Sequence, residues 1–389
     1  MKLVFYSLVL NHHQACVADE FYKLLGSDYA FVETAECYIN KGATEDYSKR
    51  PYLIQAWKSA ESWSNAIRLA EAADVCVFSG FEALPFEIVR MKRGMLSFDM
   101  SERMLKRGWL NIASPRILKM IMAYHLYGWS KKPLYKLCMS AYTKEDQYKL
   151  HSFKDKCYKW GYFIKTPNNT QSSEKDTGLK TSDTTIKIMW CARFLTWKHP
   201  EMPVELAARL KSDGYDFRIE MFGGEGMAAK YDGVYSKSAL ENLIRKFDVA
   251  DIVELCGNKP NDKITTTMRK SDIFLFTSDR QEGWGVVANE SMANGCVLVA
   301  SDAIGSTHYL VKHKETGMIF RSCDLDSLYE QVKYLLDNPE ARKQISKAGR
   351  ESMVKLWSPA NAAKSMLQLI EDTQAGRETS IAEGPCSKA

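Results

Sequence analysis

Apolar strand-like runs alternate with amphipathic helical stretches along almost the whole chain, and this predicts an α/β protein of parallel sheets with crossover helices. Two further observations set its scale. A length of 389 residues suits two or three domains, and 45% apolar content supplies sizeable cores. The alternation breaks once, at residues 166–185, TPNNTQSSEKDTGLKTSDTT. That stretch has no aromatic residue and a single leucine, so it buries no core and reads as a linker or mobile surface loop between two halves.

In the first half, residues 1–165, the strands are KLVFYSLVL, YAFVET, VCVFSG, GMLSFDM, KLCMSAYT and CYKWGYF. The opening MKLVFYSLVL has one lysine and a short apolar run, but no small-residue cleavage site follows, so it reads as a strand rather than a signal peptide. ACVADEFYKLLG and AWKSAESWSNAIRLAEAAD are helical; the second repeats apolar residues at three- and four-residue steps and stops at Asp74. The second half, residues 186–356, restarts at IKIMWCA and continues through FRIEMF, IFLFTS and VLVAS. A last helix over 357–375 has Ser358 as its N-cap and Pro359 in its first turn, and residues 376–389 read as a disordered tail.

Composition excludes several classes. A net charge of +5 is too small to argue for nucleic acid as a partner. The 10 cysteines are scattered singly, as in a reduced cytosolic protein rather than a disulfide frame or a zinc site. No run approaches the roughly 20 apolar residues needed to span a bilayer.

The densest chemistry lies between Ser278 and Asp302, SDRQEGWGVVANESMANGCVLVASD. Glu282 and Glu290 are eight positions apart, two turns of a helix, so both would lie near one face. Gly283 and Gly285, either side of Trp284, allow backbone to approach a ligand closely, and VVANESMANG reads as a helix closed by Gly295. A loop and helix start at the carboxyl end of a strand is where open α/β sheets place ligands. Arg193 and Lys198 follow the strand WCA; a guanidinium fork with an ammonium suits a diphosphate, or else forms a solvated basic turn. Gly223, Gly224 and Gly226 follow FRIEMF without making the glycine fingerprint of a dinucleotide dehydrogenase.

These stretches, with DIVELCGNKPNDKITTTMRKSDIFLFTSD, occur in the order found in retaining glycosyltransferase family 4, which the region from Ile186 to Trp357 resembles. The resemblance implies the GT-B fold, two Rossmann-like domains whose parallel sheets face a central cleft, with the final helix crossing back to the first domain. It implies a retaining transferase that moves a sugar from a nucleoside-diphosphate sugar to a hydroxyl of a glycan or lipid-linked glycan, in surface polysaccharide synthesis. Glu282 would contact the donor sugar and Glu290 the ribose. Arg193 and Lys198 would hold the diphosphate, and Gly223, Gly224, Gly283 to Gly285 and Gly305 would approach the donor. No metal or other cofactor is implied, and attack from the leaving-group face is preferred.

The chain departs from the family at His199, where a glycine usually follows the lysine and whose replacement would alter the turn. It departs again at Ser306 and Tyr309, beside Gly305. In the first half, His12 and His13 are either donors facing acceptor or phosphate or surface polar residues; adjacent histidines point apart on most backbones, which argues against a metal pair. Asp99 and Glu102, in SFDMSER, are candidates near the acceptor hydroxyl, with an ion pair between Glu102 and Arg103 as the other reading of the latter. Asp324 and Asp326 spell D-x-D but open a helix, where aspartate is at home. A nucleotide-sugar epimerase of the same fold, or a non-catalytic sugar- or membrane-binding module, stays open.

From Arg103 to Lys136 there are basic residues (Arg103, Lys106, Arg107, Arg116, Lys119, Lys131, Lys132, Lys136) and no acid, interleaved with Trp109, Ile117, Leu118, Ile121, Met122, Tyr124, Tyr127 and Trp129. This reads either as a peripheral site for the anionic inner face of the cell membrane, reached from the cytoplasm, or as a buried helix with solvated lysines.

Overall fold

The computed structural model describes residues 1–36, 46–127, 133–165, 185–225 and 233–389. Apart from Thr185, the expected linker lies outside these residues, as do Gly226, Trp129, Lys131 and Lys132. The chain divides into two compact units, Met1–Lys165 with Leu356–Ala389, and Thr166–Lys355.

The first unit holds a seven-stranded sheet, β1 (Leu3–Ser7), β2 (Tyr29–Glu33), β3 (Leu53–Gln55), β4 (Val75–Ser79), β5 (Ser97–Ser101), β6 (Leu134–Cys138) and β7 (Cys157–Lys159), in the order β3-β2-β1-β4-β5-β6-β7. Every pairing is parallel. Such strands are covered on both faces, which is why they read as continuous apolar runs rather than alternating ones. The crossovers include α1 (His12–Leu25), α2 (Ala60–Ala72), α3 (Leu84–Arg93), α4 (Pro115–Tyr127) and α5 (Thr143–Lys149). One core face joins Val4, Tyr6, Val32, Cys76 and Phe78 to Ala66, Ala70 and Phe86 from α2 and α3.

The second unit holds β8 (Ile186–Cys191), β9 (Phe217–Phe222), β10 (Val253–Gly257), β11 (Ile273–Phe276), β12 (Val297–Ser301) and β13 (Met318–Phe320), in the order β10-β9-β8-β11-β12-β13, again parallel throughout. Its helices are α6 (Glu201–Ser212), α7 (Lys237–Lys246), α8 (Asn261–Lys270), α9 (Val287–Ala293), α10 (Thr307–Leu310), α11 (Leu325–Asp337) and α12 (Pro339–Glu351). In each sheet the order reverses once, between β1 and β4 and between β8 and β11. The crevice at the carboxyl ends of strands beside such a reversal is where doubly wound sheets receive ligands.

α13 (Pro359–Gln374) belongs to the first unit and packs against α1, with the Ser358 side chain accepting the Asn361 N–H as its N-cap. The stretch after it, expected to be disordered, is ordered. Asp372 accepts from the backbone N–H and hydroxyl of Ser380, both at 2.9 Å, and from Arg377 at 2.8 Å. These donors hold its carboxyl down at about 2. Cys386 and Ser387 are buried, and Lys388 bridges antiparallel to Tyr158. The C-terminal residues thereby cover the outer edge of β7, which would otherwise present unpaired backbone groups.

Candidate functional site

The β8–β11 reversal gathers the second unit's candidate residues. After β8, a single tight turn over Thr196–Lys198 precedes α6, and His199 closes it in the left-handed conformation with φ 51°. The site needs such a residue to swing the chain into α6, which explains a glycine preference there. His199 takes up that left-handed conformation itself. Lys198 and Glu282 form an ion pair, and Ser278 Oγ donates to the same carboxylate at 3.2 Å. Glu282 is nearly buried, so the pair lies out of bulk solvent. Arg193 is exposed.

Glu282 and Glu290 do not share a helix face. Glu282 sits in the loop ahead of α9, and Glu290 lies within that helix. Gly285 explains the interruption: its φ is +76°, and a Cβ there would stand 2.1 Å from the Phe276 ring, so the chain turns sharply before helix can begin. Trp284, between the glycines, is buried; its indole N–H donates to Asn289 Oδ1 at 2.8 Å and its carbonyl accepts from Ser306 Oγ. Trp284 is thus part of the loop's frame. Ser306 replaces a glycine usefully, as the hydroxyl that ties this loop to the one after β12, while buried Gly305 precedes it and Tyr309 packs edge-on to Trp284. Burial pushes the Glu290 carboxyl up to about 7, opposed by a hydrogen bond with Asn261 at the start of α8. Burial, then the Glu290 charge, pushes the thiol of Cys191, the last residue of β8, up to about 12.

Gly223 and Gly224 follow β9. Gly223 has φ +132° and its Cβ would meet the Ala192 carbonyl oxygen at 1.8 Å; a Cβ on Gly224 would meet Asn258 Nδ2 at 3.0 Å. Backbone therefore passes close to backbone here, beside the turn that carries Arg193.

The first-unit candidates fare differently. Asp99 is 2% exposed, its carboxylate paired with fully buried Lys136 and accepting the Tyr124 hydroxyl at 2.6 Å. Glu87 joins this cluster, and burial followed by the Asp99 charge raises its carboxyl well above the ordinary range. Asp99 is a structural charge inside the sheet–helix layer, not an acceptor-facing group. Glu102 pairs with Lys106, while Arg103 pairs with Asp146 at 3.1 Å, so the expected Glu102–Arg103 pair is replaced by two others. His12 and His13 open α1 behind the Asn11 cap, and their rings lie together, centroids 3.6 Å apart, rather than pointing apart. Burial and then the His12 neighbour push His13 down to about 3, which keeps it neutral.

Asp324 caps α11 and Asp326 pairs with Arg209, so the D-x-D stretch acts as a helix start. Among the described residues one group has metal-ligand spacing, Glu220, Glu254 and Cys256 on β9 and β10, away from the Lys198–Glu282 pair. Residues that sequence reasoning passed over are Thr277 and Asp279. Thr277 Oγ1 donates to the Lys198 carbonyl at 2.6 Å and accepts the Trp190 indole N–H at 2.9 Å. Asp279 receives the Gln281 N–H at 2.8 Å. Their signal was available: Thr277, Ser278 and Asp279 form a run of small polar residues ending a wholly apolar strand.

Residues 171–352 match the family described as glycosyl transferases group 1. Among curated proteins, an uncharacterized glycosyltransferase of Methanocaldococcus jannaschii is 31% identical over 136 residues, 35% of each chain. The GDP-mannose-dependent monoacylated alpha-(1-6)-phosphatidylinositol monomannoside mannosyltransferase of Corynebacterium glutamicum is 24% identical over 199 residues, 50% of this chain and 48% of that one. The matches span under half the length of these relatives. Among solved structures, Anabaena HepE in complex with UDP superposes with TM-score 0.69 at 12% identity, covering 96% of this chain and 100% of that one. Sucrose-phosphate synthase from Thermosynechococcus elongatus gives 0.67 at 14% identity, covering 96% and 99%. The fold is that of the GT-B glycosyltransferases, two units each built on a parallel Rossmann-like sheet.

Proposed function

We propose that this chain, which carries a group 1 glycosyl transferase domain, is a retaining glycosyltransferase. Its donor is a nucleoside-diphosphate sugar, and its acceptor a hydroxyl of a glycan or lipid-linked glycan in surface polysaccharide synthesis. The observation that carries this reading is the Lys198–Glu282 ion pair at the β8–β11 reversal, with Arg193 and Glu290 on the same two loop systems. In the proposed reaction the bond from the anomeric carbon to the diphosphate breaks as the acceptor oxygen bonds to that carbon from the same face. The acceptor's proton passes to the departing phosphate oxygen. Arg193 and Lys198 stabilise the charge that grows on the diphosphate, which is where fixed charge accelerates most. Glu282 holds Lys198 in place and accepts from sugar hydroxyls; Glu290 accepts from the ribose. No step requires a metal.

Solved relatives with UDP and UDP-glucose bound support this donor class. The test is incubation with UDP-, GDP- and ADP-sugars, following both nucleotide and sugar. Free nucleoside diphosphate released with anomeric retention supports the transferase. Recovery of an isomerised donor identifies an epimerase, and neither product with tight sugar binding identifies a binding module.

The membrane partner in this proposal rests on α4 and the turn before it. Met120, Ala123 and Tyr124 form the inner face of α4, yet Leu118, Met122 and Leu126 make a second apolar stripe on its outer face. Trp109 and Leu110 extend it, Leu110 at 82% exposure. Exposed Arg107, Arg116 and Lys119 flank the stripe, whereas Lys136 and Arg103 are committed to Asp99 and Asp146 and leave the basic set. An apolar stripe with a basic rim suits an anionic bilayer surface, each cation contributing about 1 kcal/mol. Among the described residues no helix is long and apolar enough to cross a membrane. Sedimentation with anionic liposomes should show salt-sensitive binding that charge reversal at Arg107, Arg116 and Lys119 abolishes. Absence of binding at low salt would leave a non-membrane acceptor as the partner.

A further inference from the structure

His199 occupies the position where the resembling family has glycine, and its side chain has work that a glycine could not do. Its Nδ1 lies 2.8 Å from Glu201 Oε1 in the first turn of α6. Its Nε2 lies 3.9 Å from Asp279 Oδ2 and 3.3 Å from the sulfur of exposed Cys323, ahead of α11. Asp279 in turn organises the loop that delivers Glu282: its carbonyl accepts the Glu282 N–H at 3.1 Å, and its own N–H donates to the Trp197 carbonyl at 2.9 Å. Thr277 fastens the same two segments from below through the Lys198 carbonyl. Lys198 and Glu282 are therefore brought together by segments stitched through residues 197–201 and 277–282.

We propose that the His199 ring is a positioning element of the donor site, bridging Glu201 on α6 to Asp279 in the β11–α9 loop so that the turns carrying Lys198 and Glu282 stay in register. The inference rests on the donor-site reading given above. With Glu201 in hydrogen-bond reach of one ring nitrogen and Asp279 in ion-pair range of the other, the imidazolium, which carries both N–H groups, is the state that suits both carboxylates, since a neutral imidazole donates from one nitrogen only. The groups facing it fit that state: the Asp279 and Glu201 carboxylates push the ring up to about 10, against the effect of burial. Lys198, adjacent in sequence, directs its charge to Glu282 rather than to the ring.

Because the backbone at 199 is left-handed, His199→Gly removes the ring without straining the turn. The test measures calorimetric affinity for whichever of UDP, GDP and ADP the wild-type chain binds, in four proteins: wild type, H199G, K198A and the double variant. The expected result is an affinity about tenfold weaker in H199G and no further loss on adding H199G to K198A, since residues acting through one another are non-additive. An H199G affinity equal to wild type, or an equal loss in both backgrounds, overturns the proposal. Proton NMR of the His199 ring supplies a readout independent of nucleotide: an imidazolium at pH 8 is expected, and titration near the ordinary histidine value overturns it. If wild type binds none of the three nucleotides, the donor reading fails, and the NMR result alone decides whether the bridge exists.

Discussion

Glu290 gives the site a pH signature. Its carboxyl, carried on α9 and largely withdrawn from solvent, is pushed up to about 7 by desolvation, with one compensating hydrogen bond, from Asn261. A ribose with two hydroxyls is best met by an ionised carboxylate, which offers two acceptor oxygens, whereas the protonated acid spends one oxygen as a donor. With a midpoint near 7, about one molecule in eleven is ionised at pH 6 and about ten in eleven at pH 8. If only the ionised form binds, apparent affinity scales with that fraction, so the dissociation constant should fall about tenfold from pH 6 to pH 8 and then level off. The ligand's terminal phosphate also titrates at about 6, which strengthens binding over the same range. The Glu290 contribution is therefore the difference between wild type and Glu290→Gln, which binds more weakly at pH 8 and lacks the tenfold component. Stability of the unliganded protein moves the other way. A folded-state value above the unfolded one contributes stability that is fully present below the unfolded value and lost as pH rises through about 7. Calorimetry at pH 6, 7 and 8 on both proteins is the assay. Parallel pH profiles for the two would refute the assignment of Glu290 to the ribose.

Three further outcomes follow from the packing. Lys136→Met should destabilise the first unit by about 3–5 kcal/mol in denaturant unfolding, because it strands the buried Asp99 carboxylate. Gly223→Ala should lose both nucleotide affinity and thermal stability, since no relaxation short of backbone movement accommodates a Cβ 1.8 Å from the Ala192 carbonyl oxygen. Deleting residues 381–389 should cost about 2–4 kcal/mol, through three backbone hydrogen bonds to β7 and the buried Cys386 side chain, and should raise aggregation by uncovering the sheet edge.

Much of the architecture was legible because fully buried parallel strands announce themselves as unbroken apolar runs: VCVFS, IFLF and VLVAS lie where the pattern puts them, while KLVFYSLVL is strand only over Leu3–Ser7. β3 and β13, three-residue strands without the aromatic run that betrays β7, escaped, β3 being only half-buried as well, and β10 escaped because its VELCG is mostly half-buried or exposed. The candidate residues of the second unit stood out in the sequence as charged groups flanked by glycines at strand ends. Their pairing was not, since Lys198 and Glu282 are 84 positions apart and only the adjacency of β8 and β11 joins them. Asp99 misled because an acid at the end of a strand looks alike whether it faces a ligand or a buried lysine; Lys136 on the neighbouring strand decides it, in register with Asp99. The tail misled because its polar composition hides a short buried anchor, Pro385 and Cys386, and an Asp372 clasp that no local pattern reveals.

In the proposed donor site Arg193 and Lys198 hold a nucleoside diphosphate without a metal. Calorimetric titration of the wild-type chain, R193A and K198A with UDP, GDP and ADP in the presence of EDTA tests it directly. Each lost charge-assisted hydrogen bond is worth about 1.5–3 kcal/mol, so one nucleotide should bind the wild type and bind each variant roughly tenfold to a hundredfold more weakly. Binding that needs a divalent cation, or equal affinity in all three folded proteins, would contradict it.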